Sequence, residues 1–113
     1  MDLATKKISV FAKSVHRADG ICFDDSGRLW VAANQADRII ALNEIGRVIA
    51  RLGEFQGIRS DGAPNGLLLP ASPVIVGGWM YVTNLAFRLT GSPAEWEADV
   101  RRRTISRIKV PKR

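Results

Sequence analysis

The sequence predicts an all-β chain, part of a β-propeller: about two blades of four-stranded antiparallel sheet, with a short helix inserted near residues 93–102. Three observations predict it. Four short apolar runs, separated by tight polar turns, fill residues 20–52. Tyr81-Val82 echoes Trp30-Val31 at an offset of about 51 residues, within the range of propeller-blade periods. Finally, a lone four-stranded meander cannot bury both of its faces, so stacked sheets are what it requires.

Taken in order, Ile8-Ser9-Val10-Phe11 reads as a strand within residues 7–11, the outer strand of a preceding blade. Residues 20–52 form a complete blade. Ile21-Cys22-Phe23 leads to the turn Asp24-Asp25-Ser26-Gly27, whose glycine tolerates positive φ. Leu29-Trp30-Val31-Ala32-Ala33 is the second strand, with bulky residues suited to a pleated sheet. Arg38-Ile39-Ile40-Ala41-Leu42 is the third, closed by Asn43-Glu44-Ile45-Gly46, and residues 47–52 are the fourth. Residues 57–69, rich in turn formers, read as a loop.

Residues 70–110 read as the second blade, with a helical insertion. Val74-Ile75-Val76, the hairpin turn Gly77-Gly78 and Trp79-Met80-Tyr81-Val82-Thr83-Asn84 open it. Ser92-Pro93-Ala94-Glu95 carries an N-cap serine, a first-turn proline and a capping-box glutamate. Acids early in that segment and Arg101-Arg102-Arg103 at its end complement a helix dipole. Residues 104–110 alternate as a half-exposed strand.

Charge excludes less than it first suggests. The net charge is +6, yet residues 101–113 hold seven of the 17 basic side chains and none of the 11 acids. The remainder is therefore near neutral, and the basic tail lacks the interleaved aromatics of single-strand binders, so no nucleic-acid partner is expected. No apolar run is long enough to span a membrane, and the N-terminus has no secretory pattern. One cysteine gives no intrachain disulfide, which makes a cytoplasmic location the expectation.

The stretch Ala18-Asp19-Gly20-Ile21-Cys22-Phe23-Asp24-Asp25-Ser26-Gly27-Arg28-Leu29-Trp30-Val31-Ala32-Ala33 resembles a signature of the regucalcin/gluconolactonase/luciferin-regenerating-enzyme family. There, Pro-Asp-Gly precedes an apolar strand, an Asp-x-x-Gly turn and Leu-Trp-Val-Ala. Residues 38–49 and 71–83 continue the resemblance, and NHL-repeat propellers share part of the rhythm. The resemblance implies a six-bladed propeller with a divalent cation, Ca²⁺ or Zn²⁺, in its central channel, acting on a sugar lactone. It also implies that Asp19 is both a metal ligand and a catalytic residue, acting on the attacking water. Ala18 departs from the family's proline, a change that removes no ligand.

About two blades fit in 113 residues, which corresponds to the C-terminal part of such a ring. The family's glutamate and asparagine ligands find no counterpart, so the chain alone is not expected to be an active hydrolase. Two other readings stand beside this one: a non-catalytic, NHL-like interaction module, and a blade pair that self-associates through exposed edges into a full ring. Among the remaining residues, Asp24 and Asp25 read as hairpin-turn residues, His16 as a loop histidine and Cys22 as a small buried hydrophobe. Asn65, Ser72 and Asn84 read as turn or strand-end residues. Trp30, Trp79 and Tyr81 read as core packing between blades.

Overall fold

A computed structural model describes residues 2–13, 15–85 and 104–113. Apart from one 3₁₀ turn, Asn34–Ala36, its regular structure is all β, in three antiparallel sheets. The first sheet is a meander of β1 (Ala18–Phe23), β2 (Leu29–Ala33), β3 (Arg38–Leu42) and β4 (Val48–Leu52), paired in chain order. The turns that the sequence marks explain the register. Asp24 Oδ1 accepts the Ser26 and Arg28 N–H groups, and Asn43 Oδ1 accepts those of Ile45 and Arg47. Three residues after each of these, Gly27 and Gly46 turn the chain at φ of 86° and 80°. Both turns thus use one device, a side-chain acceptor followed by a glycine that carries positive φ.

The same device appears where the sequence suggested only a loop. Asp61 Oδ1 accepts the Ala63 N–H at 3.0 Å and Gly62 has φ of 83°, closing a hairpin of β5 (Phe55–Ile58) and β6 (Pro64–Gly66). The expected loop at residues 57–69 is therefore corrected to a two-stranded sheet. Gly57, Pro64 and Gly66 lie in its strands, and their turn-forming character masks so short a ladder.

The third sheet comprises β7 (Pro70–Val76), β8 (Trp79–Asn84) and β9 (Ile105–Lys109), again in chain order. It has three strands among the described residues, where four were expected. The helix expected near residues 93–102 lies outside the described residues. The strand expected within residues 7–11 is not formed, because no neighbouring strand offers it a ladder among the described residues. Its one isolated bridge joins Asp2 to Lys7. Among the described residues the sheets do not close into a barrel or a propeller.

The period-two alternation of β2 and β3 assigns each residue to a core. Trp30, Ala32, Ile39 and Ala41 form one face, and they pack against Met80 and Val82 of β8 together with Leu67. Val31, Ala33, Ile40 and Leu42 form the other, covered by Ala12 and Val15. Burial on both faces explains why β2 and β3 read as continuous apolar runs. The first and third sheets thus stack face to face, and their first strands touch. A Cβ placed on Gly20 of β1 would lie 2.5 Å from the Ala71 carbonyl oxygen and 2.9 Å from Ser72 Cα of β7. Both obstacles are backbone, so neither can rotate away. Gly20→Ala is expected to cost about 1–3 kcal/mol, read as a lower urea midpoint with an unchanged slope. Unchanged stability would mean that the two strands are not in contact.

Candidate functional site

The Asp19 edge begins with an irregularity in β1. Ala18 pairs with Ala33 and Ile21 with Val31, so the register shifts across Asp19 and Gly20. A bulge of this kind redirects the side chain it carries. Asp19 lies within β1 rather than ahead of it, and it is exposed. Its carboxylate has no hydrogen-bond or ion-pair partner among the described residues.

Three polar side chains fix β7 beside this edge. Asn34 Nδ2 donates to the Pro70 carbonyl at 3.0 Å, and the Asp37 carboxylate accepts the Leu69 N–H at 2.7 Å. Asp37 holds a left-handed backbone at φ 52°, which its short polar side chain tolerates. Burial pushes its carboxyl up from the ordinary aspartate range, partly offset by the Leu69 N–H. Asn84 Oδ1 accepts the Leu68 N–H at 3.0 Å while its Nδ2 donates to Ser106 Oγ at 2.9 Å. These groups are structural ties, in keeping with the strand-end reading of Asn84. The sequence reading did not single out Asn34 or Asp37, although two polar side chains three residues apart between apolar strands are a visible signal.

Among the described residues no group of three His, Cys, Asp or Glu side chains could hold an ion. One exposed carboxylate can accept a proton from water or offer one oxygen to a cation, and it can do no more unaided. Ser72 lies on β7 with its N–H donating to Thr83 Oγ1 at 3.0 Å, a ladder-edge role. Asn65 is exposed within β6.

The densest polar cluster lies elsewhere, at the β1–β2 turn. Asp24 Oδ2 accepts from Arg28 Nε at 2.6 Å and from Trp30 Nε1 at 2.8 Å, while Oδ1 accepts the Ser26 hydroxyl at 2.8 Å. Arg28 Nη2 reaches the Pro111 carbonyl, and its guanidinium lies 5.1 Å from the centre of the Trp30 ring. The side chains of Asp24 and Arg28 are each 6% exposed. Burial alone would raise the Asp24 carboxyl, but the Trp30, Ser26 and Arg28 donors outweigh it and hold the group well below the usual range. Asp24 is thus more than a turn residue: it clamps the hairpin to the C-terminal segment. Arg113 reinforces the clamp through Glu44 at 2.9 Å and the Ser26 carbonyl at 2.9 Å.

Two further expectations change. Trp30 is fully buried, as core packing requires, but Trp79 and Tyr81 lie on the outward face of the third sheet. Arg107 and Lys109 sit 4.2 and 5.0 Å from the Trp79 ring centre. Cys22 packs at the margin of the inter-sheet core, and burial followed by the nearby Asp24 charge pushes its thiol up. That shift disfavours the thiolate and any nucleophilic role. No helix among the described residues is long and apolar enough to cross a membrane. Compared with protein-family models, curated proteins and solved structures, the chain matches none.

Proposed function

We propose that the chain is a two-blade propeller segment related to the metal-dependent sugar-lactone hydrolases, with Asp19 as the carboxylate it presents at the inner edge. The contact of β1 with β7 at Gly20 carries this reading, because the first strands of the two stacked four- and three-stranded sheets meet there with Asp19 free beside them. In a propeller the first strands line the shared axis, where separate blades each contribute a ligand. Asp19 would accept a proton from water attacking a lactone carbonyl. It is one donor, where Ca²⁺ takes about six to eight oxygens. The remaining donors belong to other blades, and the segment alone is not expected to turn over lactone.

Calorimetric titration with Ca²⁺, Zn²⁺ and Mn²⁺ tests the assignment. With one donor in place the chain is expected to bind more weakly than the roughly 10⁻³ M of the weakest built calcium sites, and Asp19→Ala to lose that binding. Equal behaviour of the two proteins would remove Asp19 from the site.

A second reading, a non-catalytic module that associates through its outer faces, is favoured by a different observation. Ile21 and Phe23 on β1 are 58% and 69% exposed, and Val74 and Val76 on β7 are 53% and 62% exposed. Light scattering separates the two readings, since a concentration-dependent multiple of the chain mass supports association and a strict monomer opposes it.

A further inference from the structure

On the second face of the first sheet, a cavity of about 240 Å³ is lined by His16, Arg38 and Arg51 over a floor that includes Ala33, Ile40 and Val48. We propose that it is a binding site for a small organic anion, a phosphate ester or a carboxylate, separate from the Asp19 edge.

The register explains why the cations converge. Arg51 on β4 lies opposite Ile40 on β3, and Arg38 is two residues from Ile40 on the same face. The two arginines are therefore diagonal neighbours, roughly 7–8 Å apart in such a ladder. Like charges facing each other across a ladder are destabilising, and an anion between them relieves the repulsion. Here no Asp or Glu lines the cavity among the described residues. Arg38, Arg51 and His16 have no hydrogen-bond or ion-pair partner among the described residues either. His16 approaches from the turn before β1, so donors reach the cavity from two chain segments. Guanidinium groups offer paired N–H donors matched to the oxygens of phosphate or carboxylate. The apolar floor accommodates the carbon part of the ligand, which bare inorganic ions lack.

The test is a titration of the full chain with inorganic phosphate, phenyl phosphate and malonate, against sodium chloride at matched ionic strength. It is followed through the side-chain Nε–H resonances of the arginines. Saturable shifts confined to Arg38 and Arg51 are expected, with phenyl phosphate binding more tightly than inorganic phosphate. Relative affinity for phosphate and malonate assigns the ligand class. The double variant R38Q/R51Q is expected to weaken binding by about ten-fold or more. A second readout is independent of ligand choice: without added anion, Arg38→Gln is expected to raise the thermal midpoint by removing the repulsion. Shifts spread over all arginines and reproduced by chloride would overturn the proposal, as would a lower midpoint for Arg38→Gln.

Discussion

Trp30→Ala is expected to lower stability by about 3–5 kcal/mol, a large part of the roughly 5–15 kcal/mol that a domain commands. Two losses combine at this residue. The indole is fully buried between the first and third sheets, where Ala32, Ile39, Ala41, Leu67, Met80 and Val82 complete the core. Its Nε1–H also satisfies one oxygen of a buried carboxylate at 2.8 Å. Trp30→Phe separates the two, because it keeps most of the apolar volume and removes the donor. That variant is expected to lose about 1–3 kcal/mol, and the difference between the variants measures the packing share. Urea unfolding followed by near-ultraviolet circular dichroism gives both values. A Trp30→Ala loss below about 1 kcal/mol, the scale of a surface change, would mean that the sheets do not bury the indole.

Asp24→Ala is expected to be comparably severe, at about 3–5 kcal/mol. The lost carboxylate leaves the Arg28 guanidinium charged and 5% exposed, with only the Pro111 carbonyl and the Trp30 ring as compensation. Replacing Arg28 as well, with methionine, should recover part of the loss, because no buried charge then remains unpaired. The pH dependence follows from the direction of the shift. The Asp24 carboxyl is held below its unfolded value of about 3.9, so the unfolded chain binds its proton first. Its contribution is complete above that pH and is lost as pH falls through about 4 and lower. Asp37, raised by burial, acts in the opposite sense as pH falls. The comparison that isolates Asp24 is therefore the wild-type chain against Asp24→Asn. The thermal midpoint of the wild type is expected to fall more steeply below about pH 4, and parallel curves would contradict the buried clamp.

The first sheet was legible because its turns are chemically explicit. Asp24 and Asn43 each stand three residues before a glycine, and the strands between them are wide enough to show their character. The β5–β6 hairpin was hidden because its strands are four and three residues long and contain the same Gly and Pro that signal loops. The N-terminal apolar run misled for another reason: alternation shows what could pair, and pairing needs a neighbour that local sequence does not reveal. Trp79 and Tyr81 were assigned to the core by residue type, but register decides the face. Val82 and Met80, one residue away from Tyr81 on either side, take the buried positions. Asp19 was legible as a motif, whereas the partners of a buried donor such as Trp30 Nε1 had to come from space. The general requirement that a buried indole finds an acceptor was the available clue. Likewise, the Arg38–Arg51 pair is 13 positions apart in sequence and becomes a pair only through the β3–β4 register.

The central claim is that the first and third sheets stack with β1 and β7 touching at Gly20, which places Asp19 at their shared edge. A nuclear Overhauser cross-peak between the Hα protons of Gly20 and Ser72 tests it most directly, because nothing in the local chain brings those residues together. The close approach of the Gly20 position to Ser72 Cα predicts a clear cross-peak. Its absence, with the ladders of both strands otherwise intact, would contradict the stacked arrangement and the placement of Asp19 that depends on it.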